Sequence, residues 1–216
     1  MLVVGEASGD LHGSRLVRAL YQRDRALEIS AVTGEALRGE GVNALFDVGR
    51  LTGMGFSALA GNLANLWRAY SLLKRELSEC RPDLLILIDF PEFNLRLARI
   101  AKRLRVPVLY YISPQVWAWR KRRIEEIASC VDCMAVVFPF EVPLYRQAGV
   151  RVEFVGHPLL EIARRTRSRE ATLAGLGLDP AKMTVAMLPG SRRREVAYHL
   201  PVMMEAAELL EREMAV

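Results

Sequence analysis

The chain lacks several things that would have assigned it quickly. None of its apolar runs approaches the length needed to cross a bilayer. No charged-then-apolar leader precedes its first apolar segment, so the cytoplasm is the default compartment. Cysteine is scarce, at three residues in 216. Cys130-Val-Asp-Cys133 has redox or zinc spacing, but no second pair completes a zinc site, and buried structural thiols suited to a reducing compartment are the expectation. The glycines near the start, Gly5, Gly9 and Gly13, match neither GxGxxG nor GxxxxGK[ST], which weakens dinucleotide and P-loop readings. The net charge of +5 is modest and the basic residues are clustered. An anionic ligand or surface therefore suits the chain better than general nucleic-acid binding.

What is there is a soluble-type composition, 51% hydrophobic and 25% charged, in a repeating βα pattern. Strands are expected at 2–4, 29–33, 83–88, 106–112, 134–138 and 152–155, with helices from the first turn to 23 and at 35–41, 94–104 and 120–129. Such alternation predicts an α/β fold with a parallel sheet of six or seven strands. After Gly156 the composition shifts to an arginine-, serine- and alanine-rich stretch. A fresh unit then begins, with a strand expected at 183–188, a Pro189-Gly190-Ser191 turn and a helix from about 194. One strand and one helix bury too little to fold alone. The expected organisation is a first α/β domain at 1–156, a linker at 157–180 and the opening βα unit of an incomplete second domain at 181–216.

Ligands of open α/β sheets bind at the carboxyl ends of the strands. Polar residues follow five of those ends: Glu6, Ser8, Gly9 and Asp10; Asp89; Ser113 to Arg120, with Gln115, Trp117 and Trp119; His157; and Ser191 with Arg192. The acceptor-rich turn Gly5 to Asp10 suits sugar hydroxyls better than phosphate, against the plainer reading that Ser8 or Asp10 caps a helix. Asp89, placed after an apolar strand and before a proline, suits a general base. Pro189-Gly-Ser-Arg-Arg193 suits an anion, because arginines in a helix's first turn oppose its dipole unless a negative ligand is present. Residues 53–75 put Phe56, Leu59, Leu63, Leu66, Tyr70 and Leu73 on one helical stripe, flanked by Arg68, Lys74 and Arg75. A core-facing helix and an acyl-binding or membrane-surface helix both remain open there. The basic cluster Arg120 to Arg123 is similarly open between anionic headgroups and a solvated helix start.

GEASGDLHG near the start, IDFPEFN at 88–94, YISPQVWAWR at 111–120, PFE at 139–141, VGHP at 155–158 and LPGSRRREV at 188–196 together resemble the lipid-A-disaccharide synthase family. The resemblance implies a GT-B glycosyltransferase with two Rossmann-like domains, the second truncated here. It implies an inverting transfer of 2,3-diacylglucosamine from its UDP derivative to 2,3-diacylglucosamine 1-phosphate, giving the β-1,6 disaccharide and UDP. Asp89 resembles the family's catalytic carboxylate. Glu6, Ser8, Asp10 and Asn94 resemble its acceptor-side residues, and Arg192 its diphosphate-binding arginine. Gly9, Gln115, Trp117 and Ser191 complete the expected substrate-binding set. Many relatives have Ala-Pro-Asp-Phe-Asn after the catalytic Asp, whereas here Glu92 stands in Phe90-Pro-Glu-Phe-Asn94, which leaves its role open. No metal cluster of the Asp-x-Asp kind is present, so metal and cofactor independence are expected. Expected partners are the two lipid substrates and the cytoplasmic face of the inner membrane, without nucleic acid, and a homodimer is an open expectation. A UDP-sugar epimerase of the same fold and a non-catalytic sugar-nucleotide-binding fragment are the competing readings.

Overall fold

A computed structural model describes residues 1–51, 59–115, 123–161, 163, 165–190 and 193–213. It divides into two compact units, Met1–Ile162 and Ala163–Val216.

The first unit is built on a seven-stranded sheet, all of whose neighbouring strands run parallel. Its elements are β1 (Leu2–Val4), α1 (Ala7–Arg23), β2 (Ser30–Thr33), α2 (Glu35–Gly39), β3 (Asn43–Asp47), α3 (Leu59–Cys80), β4 (Leu85–Ile88), α4 (Pro91–Arg103), β5 (Val108–Tyr111), α5 (Arg123–Cys130), β6 (Cys133–Val136), α6 (Glu141–Gln147) and β7 (Arg151–Phe154). The strand order is β3-β2-β1-β4-β5-β6-β7. The order reverses between β1 and β4, and such a switch point opens a crevice at the carboxyl edge of the sheet.

The central strands β1 and β4 are buried throughout, as continuous apolar runs must be when helices cover both faces. Helix α1 lies close on this sheet because of its glycines. A Cβ at Gly9 would stand 3.4 Å from Val4, and one at Gly13 would stand 3.1 Å from Leu37 and 3.3 Å from Val4. The four-residue glycine spacing is therefore a packing face, with a glycine wherever the helix crosses the sheet and α2. On α3, Ala69, Leu73 and Leu77 are buried. The expected apolar stripe is thus core-facing toward its carboxyl end, whereas Leu63 and Trp67 near the start are 64% and 74% exposed. Phe56 lies outside the described residues.

Sequence reasoning missed β3. It is a sheet edge with no fully buried residue, and Asn43 and Asp47 at its ends obscure the strand pattern. The expected strand at 183–188 is a correction in the other direction, because these residues carry no strand and are exposed. A strand persists by pairing, and the described residues of the second unit include no other strand to pair with it. That unit holds α7 (Arg169–Gly175), whose first turn is capped where the Ser168 hydroxyl accepts from the Ala171 N–H at 3.2 Å. It also holds α8 (Arg193–Glu213). Leu178, Met183, Val185, Met187 and Leu210 line an open groove of about 380 Å³ within it.

Candidate active site

Strand register brings the candidate residues together. Val4 pairs with Ile88, and Ile88 with Tyr111, so Gly5, Asp89 and Ile112 leave three adjacent strands at one level. The turn from Gly5 to Ser8 and the Asp89 turn therefore face the same crevice, with Ser113 to Gln115 beside them. Glu6 is half-buried and Ser8 and Gln115 are exposed on this rim. A larger cavity of the unit, about 860 Å³, opens beside Leu2, Ser30 and Leu84 at the opposite edge of the sheet and has no part in the rim.

The two carboxylates expected to meet substrate are in different situations. Asp10 is buried, and its oxygens accept from the Gly34 N–H at 2.7 Å, Ala36 N–H at 2.9 Å and Leu37 N–H at 3.2 Å. It therefore caps the start of α2 from across the fold, supplying the acceptor that the helix's own Gly34 lacks. Gly34 is required in turn, since a Cβ there would collide with the Asp10 carboxylate. This engagement accounts for Asp10 without a sugar. Asp89 is half-buried, and no ion pair holds its carboxylate among the described residues. The Asp89 carboxylate is thus available to a ligand in a way that the Asp10 oxygens, each held by backbone N–H groups, are not.

The Asp89 turn is unusual in its backbone. Asp89 and Phe90 have φ of 53° and 48°, in the left-handed region that side-chain-bearing residues rarely occupy. Ile112, which leaves β5 beside them, has φ of 64°. The Asn94 amide is fully buried, and its Nδ2 donates to the Ile88 and Asp89 carbonyls at 3.2 and 2.6 Å. Asn94 thus sits behind the turn rather than on the rim where an acceptor-side contact was expected.

Glu92, whose role the sequence left open, accepts from Arg123 at 2.9 Å. That pair links α4 to α5 and leaves Arg123 only 15% exposed, so this member of the basic cluster is engaged by a protein partner. Trp117, Trp119, Arg120, Ser191 and Arg192 lie outside the described residues.

Several titratable groups beside the rim escaped sequence reasoning. His12, on the buried face of α1, has its Nδ1 without a partner; burial, then the nearby His157 and Arg15, lower its pKa from the ordinary 6.5. Arg15 in turn approaches the Pro158 carbonyl at 3.5 Å, which ties α1 to the loop carrying His157. Behind Ser113, the Tyr145 hydroxyl lies 2.6 Å from the Ser113 hydroxyl, and buried Glu141 accepts from the Phe138 N–H at 3.1 Å. Burial pushes Tyr145 up to about 12 and raises Glu141 above the ordinary carboxylate value. Cys130 and Cys133 are unpaired, and burial raises both thiols, as structural cysteines require.

A doubly wound parallel sheet whose strand order reverses at β1 and β4 defines a Rossmann-like α/β domain. Its fold is shared with the UDP-GlcNAc 2-epimerase from Neisseria meningitidis solved with UDP-GlcNAc, at a TM-score of 0.52 and 13% identity over 82% of this chain and 49% of that one. A 2-epimerase homologue from Listeria monocytogenes matches at 0.50 and 10% identity, over 75% of this chain and 50% of the other.

The family model described as "Lipid-A-disaccharide synthetase" matches residues 1–216, and the chain belongs to that family. The lipid-A-disaccharide synthases of Geobacter metallireducens and Syntrophus aciditrophicus are each 50% identical over 210 residues, covering 97% of this chain. The chain spans about half the length of these curated relatives, 55% in both cases.

Proposed function

We propose that this chain forms the acceptor-side part of an inverting glycosyltransferase. The enzyme joins UDP-2,3-diacylglucosamine to 2,3-diacylglucosamine 1-phosphate, giving the β-1,6 disaccharide 1-phosphate and UDP. The observation that carries the reading is the uncommitted Asp89 carboxylate beside the Gly5–Ser8 turn, at the switch point of a chain in this family. Asp89 takes the proton from the acceptor 6-hydroxyl as that oxygen attacks the anomeric carbon. Glu6, Ser8 and Gln115 offer acceptors and donors to the sugar, with Gly9 and Asp10 holding the helix beneath them and Trp117 supplying an apolar wall. Ser191 and Arg192 hold the departing diphosphate by backbone N–H groups and guanidinium charge. No metal or other cofactor enters the reaction.

The substrates' acyl chains require an apolar surface, and the exposed Leu63 and Trp67, one turn apart on α3, support peripheral attachment to the cytoplasmic face of the inner membrane. No described helix is long and apolar enough to cross a membrane.

The test is Asp89→Asn in the whole protein, followed by mass analysis of the disaccharide and calorimetry of UDP binding. The reading expects turnover to fall by about 10²-fold or more while UDP binding holds. Retained turnover would move the base to Glu6 or His157.

A further inference from the structure

The turn that carries Asp89 is gripped from below by two side chains that do not reach the rim. The Asp89 carbonyl oxygen accepts from the Tyr110 hydroxyl and from Asn94 Nδ2, both at 2.6 Å. Tyr110 comes from β5 and Asn94 from α4, and both residues are 0% exposed. Two independent elements therefore meet on a single backbone oxygen, at the residue where the chain enters the left-handed region. Such conformations persist only where the surroundings impose them. On the other side, the Phe90 ring fills the space over Gly5 and stacks at 5.5 Å on Phe93.

Stability alone does not account for these polar groups. Asn94 Oδ1 is buried without a hydrogen-bond partner, which is unfavourable for folding. The Tyr110 phenol is fully buried, and burial with the nearby Asp89 carboxylate keeps it protonated and so a hydrogen-bond donor. A phenylalanine there would fill the same core space without the burial cost.

Resting on the proposed role of Asp89, we propose that Tyr110 and Asn94 are positioning residues. By holding the Asp89 carbonyl they fix the direction in which its carboxylate leaves the strand and meets the acceptor hydroxyl. Losing either donor lets the turn relax toward ordinary φ values and swings the carboxylate away from the crevice. A base displaced by about 1 Å loses on the order of 10²-fold in rate without any change in what binds the substrate.

The test is steady-state kinetics of Tyr110→Phe and Asn94→Ser in the whole protein, with thermal melts to establish folding. The expected result is a kcat lowered about 10- to 100-fold in each folded variant, with KM for both substrates within about twofold of the parent. A folded variant with kcat within twofold of the parent overturns the proposal, as does a raised KM at unchanged kcat. Loss of a cooperative melt in both variants overturns it as well, because the pair would then serve the fold alone. Asp89→Asn, assayed in parallel, separates this from the reading beneath it. If Asp89→Asn keeps its turnover, the base assignment is wrong; if only Asp89→Asn loses turnover, the positioning assignment alone fails.

Discussion

The Phe90 side chain occupies the space where a side chain at Gly5 would begin: a Cβ added there would collide with Phe90 Cβ and Cγ and stand only 2.8 Å from Cδ1. Gly5 follows β1 and Phe90 follows Asp89 after β4, so the two central strands are locked across the switch point at the candidate base.

Gly5→Ala is expected to push Phe90 outward and carry Asp89 with it. Overpacking of this kind lowers stability by about 1–3 kcal/mol, and the displaced carboxylate lowers turnover by at least about tenfold. Thermal melts and product formation in the whole protein measure both. An unchanged rate would show that the turn tolerates the shift.

Asp10→Ala should act on folding first. Three N–H groups at the α2 entrance lose a charged acceptor together, for an expected cost of about 2–3 kcal/mol in chemical denaturation. Gly34→Ala, which forces the carboxylate away, should reproduce much of that loss. A small effect in both would mean that water replaces the cap without penalty.

His12 should give stability a pH dependence of defined sign. Its pKa in the folded chain is lowered from 6.5 by burial and by His157 and Arg15. The protonated ring is therefore better tolerated unfolded, and its contribution is present above pH 6.5 and lost as pH falls through the folded value. Denaturant midpoints should drop on acidification from about pH 7.5 to about pH 5.5, and His12→Gln should flatten that slope. Parallel slopes in the two proteins would assign the dependence to other groups.

Trp67→Ser, at a position 74% exposed, should leave the melt within about 0.5 kcal/mol of the parent. Joined with Leu63→Ser, it should weaken co-sedimentation with anionic lipid vesicles severalfold. Vesicle binding indifferent to both substitutions and to salt would remove the peripheral-membrane reading.

Much of the fold was legible in local pattern. The apolar runs at β1, β4, β5 and β6 announced buried parallel strands, and polar residues after them marked the rim. Edge strand β3 was not legible, because exposure removes the apolar run on which such a reading depends. The expected strand at 183–188 failed for the complementary reason: its apolar residues are present, but no partner strand stands beside them among the described residues.

Residue chemistry in order along the chain determined which groups could act: a carboxylate after β4, an acceptor-rich turn after β1, and a glycine every fourth residue from Gly5 to Gly13. It gave Asp10 two readings, a sugar contact and a helix cap, and could not choose between them, since either puts a carboxylate just past a strand end. Only the tertiary structure chose between them, bringing the α2 entrance, 24 to 27 residues away in sequence, onto Asp10, while no ion pair engages Asp89 among the described residues. The physical reason is that a carboxylate's role depends on the donors that reach it in space, and the donors to Asp10 come from a segment that the β1-to-β2 crossover brings beside it.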